Sequence, residues 1–227
     1  MPNSIEPRLL VFDMDGTLIA ERFIFQLAHR FGFEAKLKEI RARRIPEYEK
    51  TRDIASLLKG LSAEEIVDTF GQIPLSPGVQ TTVEELKKDG HVLAIISDSY
   101  TIATERLKER LGFDYTIANE LVVRRGRITG EVKMPLNWPD SKKGCRKHAI
   151  CKLNSMLSLS QKTEIPLERT IAVGDNIADI CMLKYAGLGI AFNPKARAVE
   201  QSADITVKGD LRGILPIIRG QGLPKSP

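Results

Sequence analysis

Cysteine is scarce in this chain: Cys145, Cys151 and Cys181 are the only three, and no two of them form a CxxC pair. A small, odd count argues against a disulfide framework, and with His148 as the one nearby imidazole a zinc cluster has little support. Aromatic residues make up 6%. The basic clusters (Arg41, Arg43, Arg44; Arg124, Arg125, Arg127; Lys142, Lys143, Arg146, Lys147) lack the interleaved aromatics of a single-strand-binding platform, so nucleic acid is not the expected partner. Long hydrophobic runs are missing too. The apolar stretch in MPNSIEPRLLVFDMDGTL is broken by Asp13 and Asp15, too short and too acidic for a signal peptide or a membrane span. The expectation is a soluble cytoplasmic protein with no membrane partner. There is no internal repeat.

What is present is the balance of an ordinary folded protein, with 42% hydrophobic and 28% charged residues. A length of 227 residues suits one α/β core with a smaller appended domain. The net charge of +5 suits an enzyme whose substrate carries a phosphate dianion. Residues 8–12 (RLLVF) form a short apolar run, as in a central parallel strand covered on both faces. Residues 91–96, 170–173, 187–192 and, more weakly, 204–207 repeat the pattern. Helical stretches at 79–89, ending at Gly90, and 101–111 lie between runs. This alternation predicts an α/β fold built on a Rossmann-like, doubly wound parallel sheet. Residues 121–132 read as a hairpin with Gly126 in the turn, and 156–164 as a polar surface excursion.

Between residues 20 and 75 no strand is expected. Phe23, Leu27 and Phe31, then Ile54, Leu57, Leu58 and Leu61, then Ile66, Val67 and Phe70 recur at helical spacing. This predicts a small helical cap (20–75) inserted after the first strand of a core made of 1–19 and 76–227. Such a cap would exclude water and strengthen contacts to a bound phosphate.

Sites in doubly wound sheets lie beyond the C-terminal ends of the strands. Asp13, Ser97 and Asp175 each end or follow one of the three best strand candidates. Asp13 and Asp15 flank one point just past a buried strand, where two carboxylates need a cation or a shared proton. The GDNIAD segment brings Asp175 and Asp179, and hard oxygen ligands of this kind describe Mg²⁺. A hydroxyl from Ser97 and an ammonium from Lys143 could bind phosphate oxygens. Nucleophilic carboxylate, cation, hydroxyl and lysine together make a phosphoryl-transfer site.

Asp13-Met14-Asp15-Gly16-Thr17, Ser97 in IISDSY, Lys143 in SKKG and VGDNIAD resemble the signatures of the haloacid dehalogenase superfamily, in its phosphoserine-phosphatase-like branch, over residues 8–218. The resemblance implies a magnesium-dependent phosphatase acting on a small phosphorylated metabolite, L-phosphoserine being the leading single substrate. Asp13 would be the nucleophile and form an aspartyl-phosphate; Asp15 would be the general acid and base. The Asp13 carboxylate, the Asp15 main-chain oxygen and Asp175 would hold Mg²⁺. Ser97 and Lys143, rather than the adjacent Lys142, would bind phosphate, with Thr17 and Asp179 in support. The chain departs from that branch at Asp98, where glycine is usual, and at Ala178, where an asparagine is. Glu21 and Arg52 would grip the substrate's ammonium and carboxylate, each displaced from the usual place, and Asp98 could orient an amine or an acceptor. The alternatives are a phosphotransferase moving phosphate from phosphoserine to homoserine, and a non-catalytic nucleic-acid-binding protein.

Overall fold

The computed structural model describes residues 6–135 and 149–220. Seven strands, β1 (Leu9–Phe12), β2 (Val92–Tyr100), β3 (Tyr115–Arg124), β4 (Arg127–Lys133), β5 (Thr170–Gly174), β6 (Leu188–Phe192) and β7 (Ile205–Val207), form one sheet in the order β4-β3-β2-β1-β5-β6-β7. Every neighbouring pair is parallel except β3 with β4. The all-apolar β1 lies at the centre, and its two-residue period divides the core. Leu10 and Phe12 join one apolar cluster, Leu9 and Val11 the other.

Helices cover both faces. Val83 and Leu86 of α5 (Val79–Lys88) and Ala103 and Leu107 of α6 (Thr101–Leu111) share the cluster of Phe12. Met156 and Leu159 of α7 (Lys152–Thr163) and Met182 and Leu183 of α8 (Ile180–Tyr185) share that of Val11. Four helices, α1 (Phe23–Phe31), α2 (Glu34–Ala42), α3 (Glu47–Leu57) and α4 (Ala63–Gly71), fill the chain between β1 and α5. Phe23 and Leu27 pack inward one turn apart, and Phe23 meets Phe70 edge to face at 5.3 Å. Ser62 and Glu65 close a capping box that starts α4. The segments entering and leaving this insertion run side by side: Ala20 N–H donates to the Pro74 carbonyl (3.0 Å) and Ser76 N–H to that of Leu18 (3.0 Å). A second seam ties it to the β3–β4 hairpin through Ala63 N–H to Gly126 O (2.8 Å) and Ile128 N–H to Leu61 O (2.9 Å).

Two segments differ from the sequence-based expectation. Of residues 156–164, read as a surface excursion, all but the capping Glu164 belong to α7. Leu153, Met156 and Leu159 recur every three residues and pack on the sheet, while serines and lysines dilute the stripe in the sequence. The hairpin at 121–132 is present, but β3 starts at Tyr115 and first pairs with β2 in parallel. The polar sequence TIANE hides that strand, because Asn119 is fully buried and donates from its side chain to the Asp98 carbonyl at 2.7 Å.

Phe12 is fully buried and meets Phe113 edge to face at 5.8 Å. Phe12→Ala is expected to lower the unfolding free energy in urea by about 3–5 kcal/mol.

Candidate active site

Strand register brings three residues together. Phe12 pairs with Ile95 of β2 and with Val173 of β5, and Asp13 N–H donates to the Val173 carbonyl at 2.9 Å. Asp13 therefore leaves the sheet beside Asp175, which follows β5, and beside Ser97, which lies within β2 and not at its end, where the pairing with β3 is irregular between Ile96 and Tyr100. All three are buried.

A lysine joins them from the other side of the chain. Lys152, the first residue of α7, is 2% exposed, and its Nζ lies 2.6 Å from Asp13 Oδ1 and 2.6 Å from Asp179 Oδ1. Burial works against its charge, but Asp13 and Asp179 outweigh that and hold the ammonium above its usual range. Asp179 is fully committed: its Oδ2 accepts from the backbone N–H groups of Asp175 (3.0 Å) and Asn176 (2.9 Å). Gly174 makes room for that brace, since a Cβ there would come within 2.5 Å of the Asp179 carboxyl carbon.

The remaining oxygens suit a divalent cation. Asp13, Asp175 and Asp179 offer carboxylate oxygens within 4.8 Å of one another. Both oxygens of Asp179 already hold N–H partners, which leaves Asp13 and Asp175 the freer pair to ligate. Among the described residues both hydrogen-bonding partners of Asp13, Lys152 and Met14 N–H (2.7 Å), fall on Oδ1. Asp175 Oδ2 is buried with no partner among the described residues, a costly condition that a hard cation would relieve. Thr17 reaches the other oxygen of Asp175 through a long contact of 3.4 Å. Gly16, at φ +89°, brings the loop so near that a Cβ would lie 2.5 Å from Asp175 Oδ2.

Burial raises the acids here. The Asp13 carboxyl sits well above the usual range through burial and then the charge of Asp179, opposed by Lys152. Asp175 is pushed up to about 6 by burial and then by Asp179. Asp15 is pushed up to about 7 by burial and then by Asp98, against the pull of Phe23 N–H, which donates to its Oδ1 at 2.6 Å. A group at that value can give and take a proton near neutrality. Ser97 Oγ accepts from Ser99 N–H at 3.1 Å, which fixes the hydroxyl within β2.

Above Asp15 a cavity of about 170 Å³ is lined by Arg22, Ile24, Arg41, Lys50 and Asp98. Of Glu21 and Arg52, expected to grip substrate, Glu21 is exposed, bonded to Gln26 and lines an adjoining opening that reaches Asp15 and Asp175, while Arg52 stacks on Tyr48 at 5.8 Å. Neither lines this cavity. Lys143 and Lys142 lie outside the described residues. Among the described residues the lysine against Asp13 is Lys152, a position the reading of SKKG did not consider. A signal existed: Lys152 follows Ala149 and Ile150, both buried, at the head of an apolar helical stripe.

The chain matches the family described as haloacid dehalogenase-like hydrolase over residues 10–184. It is 36% identical over 217 residues to the phosphoserine phosphatase of Methanocaldococcus jannaschii, covering 93% of this chain and 98% of that one. It is 34% identical over 219 residues to the phosphoserine phosphatase of Archaeoglobus fulgidus, covering 94% of this chain and 60% of the relative. A solved structure described as a phospho-aspartyl intermediate analogue of phosphoserine phosphatase is similar with a TM-score of 0.80 and 35% identity, covering 94% of this chain and 100% of the other. These likenesses and the fold define an enzyme of the phosphatase class. The chain belongs to the haloacid dehalogenase-like hydrolase family, in the branch that holds the phosphoserine phosphatases. No helix among the described residues is long and apolar enough to cross a membrane.

The raised carboxyl values of Asp175 and Asp15 favour the metal-free fold in acid, a contribution lost as pH climbs through about 6 and about 7, where these buried groups ionise. A divalent cation at Asp175 must displace its proton. Its effect on the thermal midpoint is expected to be larger at about pH 8 than at about pH 5.5, and to vanish in Asp175→Asn. Calorimetry with Mg²⁺ and with EDTA reads both.

Proposed function

We propose that the chain hydrolyses a small phosphomonoester through a phosphorylated Asp13, with Mg²⁺ as the cation at Asp13 and Asp175. The observation that carries this reading is Asp13 itself. It is a buried carboxylate at a strand end, one oxygen pinned by Lys152 and Met14 N–H and the other without a partner among the described residues. A solvated or capping aspartate has no need of such a setting. The phospho-aspartyl analogue described for a phosphoserine phosphatase of similar fold supports the same reading.

Asp13 would attack phosphorus with its unpinned oxygen as the bond from phosphorus to the ester oxygen breaks. Asp15, protonated below about 7, would hand its proton to the departing alcohol. It would then take a proton from the water that attacks phosphorus, restoring the Asp13 carboxylate and freeing inorganic phosphate. Lys152 and the Ser97 hydroxyl would hold phosphoryl oxygens, while Asp179 keeps Lys152 aimed at Asp13. Mg²⁺, when bound, would offset the charge shared by the phosphoryl group and the two aspartates. The Asp15 main-chain oxygen would complete its protein ligands, Thr17 would steady the loop, and the four inserted helices would act as the cap over the core. L-phosphoserine is the substrate that the named relatives suggest.

Phosphate release from p-nitrophenyl phosphate should require Mg²⁺, stop with EDTA and be absent in Asp13→Asn. Lys152→Met should lose at least about 100-fold in kcat. Release that persists in Asp13→Asn contradicts the reading.

A further inference from the structure

Two cations in the insertion have no acid to satisfy them. Arg22 and Arg41 line the cavity above Asp15, and the same two residues line the adjoining opening that reaches Gly16 and Asp175. Among the described residues neither guanidinium has an ion-pair or hydrogen-bond partner. Their neighbours do: Lys50 pairs with Glu47 at 2.8 Å, and Arg43 with Glu39 at 2.9 Å and Asp53 at 2.8 Å. Arg41 is held in place instead by the ring of Phe25, 4.7 Å from its guanidinium carbon.

Arg22 is half-buried and Arg41 exposed where they line the cavity. Arg41 is held below its usual value by desolvation and then by the like charge of Arg22, with Asp98 and Glu47 pulling the other way. The charge of Arg22 is also felt by Asp15 and Asp175, so its field reaches the reacting end of the site. The acids facing the cavity do not balance the pair. Glu47 is taken by Lys50, Glu21 in the adjoining opening is bonded to Gln26, and Asp15 is the proton carrier, which leaves Asp98 of β2. Like charges facing one cavity favour an anion between them, and a guanidinium fork suits carboxylate or phosphoryl oxygens.

We propose that Arg22 and Arg41 form a distal anion subsite, which selects phosphomonoesters whose alcohol carries a second anionic group, carboxylate or phosphoryl. This rests on the hydrolase reading above and adds to it the substrate class. Recognition runs through the anionic group, and an ammonium on the substrate is not required.

The test compares kcat/KM for phosphoglycolate (carboxylate), propane-1,3-diol bisphosphate (second phosphoryl), phosphoethanolamine (ammonium) and glycerol 1-phosphate (neither). One or both anion-bearing esters should exceed the other two by about 10- to 100-fold, and which of them leads identifies the group. Arg22→Gln and Arg41→Gln should each erase most of that preference, chiefly through KM. Equal turnover of phosphoethanolamine or glycerol 1-phosphate overturns the proposal, as does a loss in the variants that is the same for all four esters. If no ester, p-nitrophenyl phosphate included, is hydrolysed, the hydrolase reading falls and binding decides the subsite. Calorimetry on Asp13→Asn must then show phosphoglycolate or the bisphosphate binding at least about tenfold more tightly than glycerol 1-phosphate, a difference absent once Arg22→Gln is added. Equal binding overturns it.

Discussion

Three aspartates crowd a dry pocket at the end of a parallel sheet, and one buried ammonium keeps them there. Lys152 touches Asp13 and Asp179 at the same distance, 2.6 Å. Without it two buried carboxylates would face each other unpaired, a condition that typically costs about 3–5 kcal/mol. The pairing leaves the charge unbalanced, because Asp175 still carries an oxygen with no partner among the described residues. That residual demand for positive charge is what fits the pocket to a divalent cation and to phosphate chemistry. The surrounding fold is arranged to maintain it: Gly16 and Gly174 let two carboxyls close in, and α7 delivers the lysine.

Much of the fold was legible because its central strands are short, continuous apolar runs. Leu9–Phe12 and Thr170–Gly174 are buried along their whole length, and both stand out in the sequence. The helices inserted after β1 were legible for a related reason, since Phe23, Leu27, Ile66 and Phe70 repeat at helical spacing and point inward. Segments that mix polar and apolar residues were harder. The start of β3 is stabilised by its place beside β2 and by the hydrogen bond from Asn119, neither of which leaves a periodic trace. The stripe of α7 is diluted by serines and lysines.

The site divides along the same line. Asp13 and Asp175 were legible from their position just past strand ends, and Ser97 from the apolar run before it, although β2 continues past it to Tyr100; register brings the three together. Residues that reach the site from a distance were not. Lys152 lies 139 positions after Asp13 and reads locally as an ordinary solvated lysine. In the insertion, Glu21 and Arg52 had the right chemistry for substrate contacts. Arg22, in extended backbone just ahead of α1, and Arg41 of α2 line the cavity instead.

The central claim is that phosphate passes through Asp13 itself. Acid-quenching the enzyme during turnover of a labelled phosphomonoester, followed by peptide mapping, tests it most directly. A phosphoryl group on the peptide that contains Asp13, present in the wild type and missing in Asp13→Asn, is the predicted result. Label on another residue, or steady hydrolysis with no label on the protein at any time, would contradict the account.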